Sequence, residues 1–245
     1  MRTAGVDLAA EPDGTAVAIL TWAAGGAEVT GLVCAAGDDA VLAAVRGAAK
    51  TGIDCPLGWP EAFVSFVGAH RAGPVPVPAG PADRAWRRGL AWRHTDEVVR
   101  AATGLVPLSV SADRIGHTAM RCAALQAALA ADGVDVDRTG AGAIAEVYPA
   151  ASLKLWGLPW RGYKTARNRQ ALGAVVDGLL AVAPWLRLGD HEAVCRRSDH
   201  ALDAVVAALA ARAVALGRAT TADRGVARTE GWIALPSGPL ELLLG

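Results

Sequence analysis

Thr51-Gly52-Ile53-Asp54-Cys55-Pro56-Leu57-Gly58-Trp59-Pro60 is the stretch from which the fold is read. Gly52 and Ile53 continue an apolar run out of a helix, Asp54 follows, and two prolines with Gly58 forbid a helix or a central strand beyond. A short buried strand ending on an acid is therefore predicted, with its carboxylate held at a rigid edge. An aspartate before proline ordinarily caps a turn. Gly5-Val6-Asp7-Leu8-Ala9 repeats the shape, however: a small, β-branched apolar segment with an acid set into it. Two strands are expected to present an acid each.

Around these strands the chain reads as α/β. Residues 3–9 are the first strand and 15–22 the second, joined by the hairpin chemistry of Ala10-Glu11-Pro12-Asp13-Gly14. After the Gly25-Gly26 turn, residues 27–34 alternate as a third, antiparallel strand. A helix from Asp38 through Lys50, with acids in its first turn, leads into the strand of Asp54, which a right-handed crossover lays parallel to the first. A helix over 116–131 crosses back, and Ala143-Ile144-Ala145-Glu146-Val147-Tyr148-Pro149 is a fifth strand carrying Glu146. Another helix is expected from about Thr165 to Val182. The last strong helix starts after Ser198, a good N-cap, and runs to about Leu216, with Leu202, Val206, Leu209, Ala213 and Leu216 facing the sheet. The expectation is a single domain over 1–245, a mixed five-stranded sheet flanked by helices, with an insertion at approximately 56–115 after the fourth strand.

That insertion holds a polyproline-like run, Pro74 to Pro81, followed by Arg84, Trp86, Arg87, Arg88, Trp92, Arg93 and His94. A second basic and aromatic stretch runs from Lys154 and Trp156 through Trp160, Arg161, Tyr163 and Lys164 to Arg167 and Arg169. Arginines interleaved with tryptophans grip phosphates and stack bases in some proteins, and in others are the solvated side of a packed helix. Both readings stand at this point.

The chain as a whole narrows the function classes. Its 245 residues are 53% hydrophobic and 20% charged, which excludes a disordered protein. Mean hydropathy is +0.30, yet the apolar stretches are alanine-rich and broken by charge, short of the ~20 apolar residues of a membrane span. Asp7 stands where a signal peptide needs an apolar centre. A cytoplasmic protein with no membrane association is expected. Net charge is zero, which argues against coating duplex nucleic acid through a broad basic face and leans toward a small or single-stranded substrate. The four cysteines and five histidines lack zinc spacing.

The acids are the constellation that carries chemistry. Asp7, Asp54 and Glu146 lie on three strands, and Asp199 and Asp203 one turn apart on the last helix. Asp199 also serves as a first-turn acid. Asp203 lies within a packed helix, where an unpaired carboxylate is costly, so it needs a cation or a basic partner. If the fourth strand pairs with the first, these acids gather and repel one another unless a metal fills the site. Oxygen ligands suit Mg²⁺ or Mn²⁺, and two ions ~4 Å apart can drive phosphodiester hydrolysis.

At this point the chain resembles the domain of unknown function 429 family. The resemblance rests on Gly5-Val6-Asp7-Leu8-Ala9, Gly52-Ile53-Asp54-Cys55-Pro56, Arg93-His94-Thr95-Asp96, Pro107-Leu108-Ser109, Glu146-Val147-Tyr148-Pro149, Gly162-Tyr163-Lys164 and Ser198-Asp199-His200-Ala201-Leu202-Asp203. It implies a ribonuclease H-like fold and a metal-dependent nuclease with a nucleic acid or nucleotide substrate. It also implies Asp7, Asp54, Glu146, Asp199 and Asp203 as acidic ligands, with Asp7, Asp54, Glu146 and Asp203 catalytic. Arg93, Thr95, Asp96, Tyr148 and Lys164 fall on the family's other polar motifs and are expected to line the substrate, Lys164 or Arg93 steadying a phosphate. His200 stands where the family often has a second acid, which favours Asp203 over Asp199 as the inner ligand. Two alternatives are carried forward: a non-catalytic binding or scaffold module of the same fold, and an actin-like phosphotransferase or ATPase, disfavoured by the lack of an internal repeat or a second glycine-rich loop.

Overall fold

A computed structural model describes residues 1–73, 83–164, 169–222 and 225–244. The proline-rich run, Arg167 and the expected start of the helix at 165 lie largely or wholly outside the described residues.

Strands β1 (Arg2–Asp7), β2 (Ala16–Ala23) and β3 (Gly26–Cys34) form an antiparallel meander, and helix α1 (Asp38–Gly47) leads into β4 (Lys50–Asp54). Lys50, expected at the end of the helix, instead begins the strand. Helices α2 (Glu61–Ala72), α3 (Arg84–Ala91) and α4 (His94–Thr103) follow, then α5 (Gly116–Ala131), β5 (Ile144–Glu146), α6 (Pro149–Leu155), α7 (Arg169–Val182), β6 (Leu186–Arg187), α8 (Glu192–Cys195), α9 (Asp199–Ala215) and α10 (Ala227–Glu230). The sheet has six strands, in the order β5-β4-β1-β2-β3-β6, and not the expected five. The sixth is the two-residue β6, which pairs parallel to β3. As the spacing predicts, β4 lies parallel to β1, with Asp7 directly opposite Asp54.

Side-chain alternation sorts the two faces. Ala4, Val6, Leu8 and Ile53 join α1 and α5 in one core layer, with Val41, Val45, Cys122, Leu125 and Leu129. The other face carries α9. Gly5 and Gly52, opposite one another, leave room for the helix backbone. A Cβ at Gly5 would stand 2.0 Å from the Ala204 carbonyl oxygen, and one at Gly52 2.4 Å from that of Ala207. The period of two then aims Asp7 and Asp54 at the same helix, one step along their strands.

Ser198 caps α9 as expected, its Oγ accepting the Ala201 N–H at 3.2 Å. The expected single sheet-facing stripe is corrected. Every residue from Ala201 to Ala211 is buried, because Leu153 of α6 and Leu172, Val175, Val176 and Leu179 of α7 join the same core on the side away from the sheet. Small alanines permit that approach on both sides.

Candidate metal centre and its cleft

Asp7 and Asp54 end neighbouring parallel strands, and Asp203 projects from the second turn of α9 above them. One carboxylate oxygen from each lies within 4.8 Å of the others. Asp203 is 1% exposed. Burial pushes its carboxyl up to about 6, against the pull of Lys164. Burial likewise holds the Asp54 carboxyl well above the usual carboxylate range, Lys164 working against it and the Asp7 and Asp203 charges adding to it. The acids are crowded beyond what their surroundings neutralise.

The partner that Asp203 requires is Lys164, with Nζ 2.6 Å from Asp203 Oδ2 and 3.9 Å from Asp54 Oδ2. Burial works against the lysine's charge, but Asp203 and Asp54 outweigh it and hold its pKa well above the ordinary value. Tyr163 O–H donates to Asp203 Oδ1 at 2.8 Å. His200 Nδ1 meets Asp7 Oδ2 at 2.6 Å, and this bond raises the imidazole pKa. Neither Tyr163 nor His200 was assigned a role from the sequence. Tyr163 sits beside Lys164 in the Gly162-Tyr163-Lys164 motif, and His200 stands three residues before Asp203.

Glu146, expected as a further ligand, lines the same cleft but lies outside the group of three acids. In the β4–β5 register it lies opposite Ile53 and not opposite Asp54, and that one-residue offset sends its side chain to the other face. There Arg93 grips it with two bonds, Nη1 to Oε2 at 2.8 Å and Nη2 to Oε1 at 2.7 Å, while Leu57 N–H donates to Oε2 at 3.0 Å. Burial raises the Glu146 carboxyl despite Arg93.

Arg93, expected to steady a phosphate, is 1% exposed. Its other bonds go to Asp96, Nη2 to Oδ1 at 2.9 Å and Nε to Oδ2 at 3.2 Å, and to the Glu230 carbonyl at 3.1 Å. Burial disfavours its charge, but Glu146 and then Asp96 outweigh burial and raise its pKa. Asp96 is buried with it, and Thr95 Oγ1 accepts the Ile233 N–H at 2.8 Å. This motif is a buried ionic knot that ties the start of α4 to the end of β5 and to the C-terminal segment. Arg93 and Glu146 also line the cleft onto which Asp7 and Asp54 open. Asp199, in the first turn of α9, lies outside the group of three acids, although its charge helps raise His200.

Asp7 and Asp54 open into a cleft of about 900 Å³, which Tyr163, Lys164 and His200 also line. Tyr148 and Trp160 line it, with Leu105, Pro107, Leu108, Arg114, Ile115 and Thr118. Trp160 carries Arg161 at 4.1 Å and Lys154 at 4.7 Å from its ring centre. In the insertion, Arg88 covers Trp92 at 3.7 Å and Trp86 packs edge-on to Phe66.

Residues 5–225 match the family described as "Protein of unknown function (DUF429)". The chain belongs to the DUF429 family. No curated protein and no solved structure matches it. Among the described residues of this DUF429 chain, Asp7, Asp54 and Asp203 are the one group of carboxylate, histidine and cysteine side chains spaced to hold a metal ion. No described helix is long and apolar enough to cross a membrane.

Proposed function

We propose that this DUF429 protein is a metal-dependent phosphodiester hydrolase, a nuclease or nucleotide hydrolase of ribonuclease H-like architecture. The observation that carries this reading is the convergence of Asp7, Asp54 and Asp203 to within 4.8 Å, with Asp7 and Asp54 lining the cleft and Lys164 paired to Asp203 and Asp54. An all-oxygen, crowded and under-neutralised donor set fits a hard divalent ion. Mg²⁺ or Mn²⁺ held by these three residues would supply Lewis acidity and lower the pKa of a water molecule.

The sequence suggested two ions with Glu146 in the ligand set. With Glu146 bound to Arg93, the reading narrows to one ion, with Lys164 supplying the further positive charge. Lys164 is 44% exposed, so a modest rotation frees its ammonium from Asp203 to meet a phosphate oxygen. Tyr163 holds the Asp203 carboxylate in place. His200, oriented through Nδ1 by Asp7, can take or return a proton at Nε2. The apolar wall of Leu105, Pro107 and Leu108 with Trp160 and Tyr148 suits a base or sugar, and excludes bulk water from the acids.

The test is hydrolysis of single-stranded, duplex and branched DNA and RNA, and of nucleotides, with Mg²⁺ or Mn²⁺, comparing wild type with Asp7→Asn and Asp54→Asn. Metal-dependent cleavage that disappears in both folded variants is expected. A second reading, a non-catalytic binding module, is favoured by the pairing of Lys164 with Asp203, which neutralises part of the site without a metal. It takes the lead if nothing is cut and neither ion raises the melting temperature.

A further inference from the structure

We propose that the N-terminus of α5, with Arg114 and Thr118, is a phosphate subsite that holds a second, non-reacting phosphate of the substrate. Beside Asp7, Asp54 and Asp203 the cations Arg93 and Lys164 are both paired with carboxylates, and Lys164 serves the one phosphate that reacts. Arg114 differs. It is exposed, it lines the same cleft, and none of its donors meets a partner among the described residues.

Two further observations point to a ligand beside it. Thr118 is 8% exposed and lines the cleft, yet its hydroxyl has no hydrogen-bond partner among the described residues. A hydroxyl that faces a cleft without a protein partner is available to a ligand oxygen as donor or acceptor. The α5 N-terminus is also uncapped, since Ile115 offers no side-chain acceptor and the first turn contains no acid. The N–H groups of His117 and Thr118 find no acceptor in the turn before them. Asp113, just before the helix, accepts the Ser109 N–H at 2.7 Å.

The turn is held in place. Ser109 Oγ donates to the Ala91 carbonyl at 2.5 Å and Ser111 Oγ to that of Leu90 at 3.2 Å. Free N–H groups at the positive end of a 16-residue helix, a hydroxyl and a guanidinium make a donor set for a tetrahedral oxyanion. The substrate class that follows is a phosphodiester chain or nucleotide bearing one phosphate more than the bond that reacts. That assignment rests on the proposed hydrolase reading, whereas the subsite itself does not.

The test separates the two. Chelator-treated full-length protein is titrated with inorganic phosphate and with pyrophosphate, read by calorimetry and ³¹P line width. Wild type and Asp54→Asn are expected to bind alike, Arg114→Ala to weaken binding about tenfold, Arg114→Lys less, and Thr118→Val about threefold. A 5′-phosphorylated dinucleotide binding more tightly than its unphosphorylated form identifies a terminal phosphate as the occupant, and equal binding that still depends on Arg114 identifies a backbone phosphate. If phosphate and pyrophosphate do not bind, or bind equally to wild type and to folded Arg114→Ala and Thr118→Val, the subsite is overturned. Anion binding that depends on Arg114 with no hydrolysis of any substrate would leave the subsite standing and remove the hydrolase.

Discussion

Gly5 lies so close beneath Ala204 that a Cβ on the glycine would stand 2.0 Å from the alanine carbonyl oxygen. Helix α9 therefore rests on bare backbone, which brings Asp203 down to the level of Asp7 and Asp54. Gly5→Ala must push the helix off the sheet or distort β1. Overpacking of this kind costs ~3 kcal/mol or more when backbone is the obstacle, and the variant is expected to lose any stabilisation by Mg²⁺ or Mn²⁺ as the acids separate. Gly68→Ala is the control, because nothing lies within 4 Å of its would-be Cβ in α2. There a gain of ~0.5–1 kcal/mol is expected. Urea midpoints with and without metal distinguish the two variants.

Arg93 and Glu146 form a buried pair with Asp96, so removing the cation strands two carboxylates. Arg93→Met is expected to cost ~3–5 kcal/mol, and Glu146→Gln less, since the amide can still accept from Leu57 N–H. Whatever fraction of either variant folds should bind divalent metal as wild type does. A Glu146→Gln protein that folds normally but loses metal affinity would restore Glu146 to the ligand set.

Much of this architecture was legible because its signals are local. The strand of Asp54 is stopped by prolines within its own sequence, Ser198 caps α9 at the predicted residue, and the parallel pairing of β1 with β4 follows from the single helix between them. Two placements lay beyond any local signal. An acid at the end of a strand reads the same whichever face it occupies. The face of Glu146 is set by its pairing with Ile53, a relation across 93 positions of chain that no local pattern records. Arg93 looked like part of a basic aromatic surface because the acid that buries it, Glu146, is 53 residues away. β6 escaped because two residues, Leu186–Arg187, are too few to show a period. Arg114 and Thr118 were invisible for another reason: lacking a partner is a property only of the folded chain.

The pH dependence of the metal-free protein should carry the mark of Asp203. Its folded carboxyl lies at about 6, above the ordinary 3.8, so its contribution to stability is fully present below about pH 4 and is lost as pH rises through about 6. The loss is on the order of 3 kcal/mol for two units. The difference between wild type and Asp203→Asn, followed by urea unfolding in chelator from pH 4 to 7, should show that decline. With excess Mg²⁺ or Mn²⁺ the sign reverses, because protonation of Asp203 competes with the ion and metal stabilisation grows as pH rises. A wild-type and variant difference that stays flat across this window refutes the assignment.

Lys164 and Tyr163 both touch Asp203, but they should act in opposite directions on metal binding. The lysine ammonium, 2.6 Å from Asp203 Oδ2, competes with an ion for the same oxygen. Tyr163 donates to the other oxygen at 2.8 Å and holds the carboxylate ionised and oriented. Lys164→Met is therefore expected to tighten Mn²⁺ binding about tenfold, a like charge having been removed from the site, while hydrolysis slows because a phosphate loses its cation. Tyr163→Phe is expected to weaken Mn²⁺ binding and to destabilise the protein by ~1.5–3 kcal/mol, the loss of a hydrogen bond to a buried charge. Calorimetric titration of Mn²⁺ into the two variants reads both effects. If Lys164→Met binds the ion more weakly than wild type, the lysine supports the metal site rather than competing with it, and the one-ion arrangement must be redrawn.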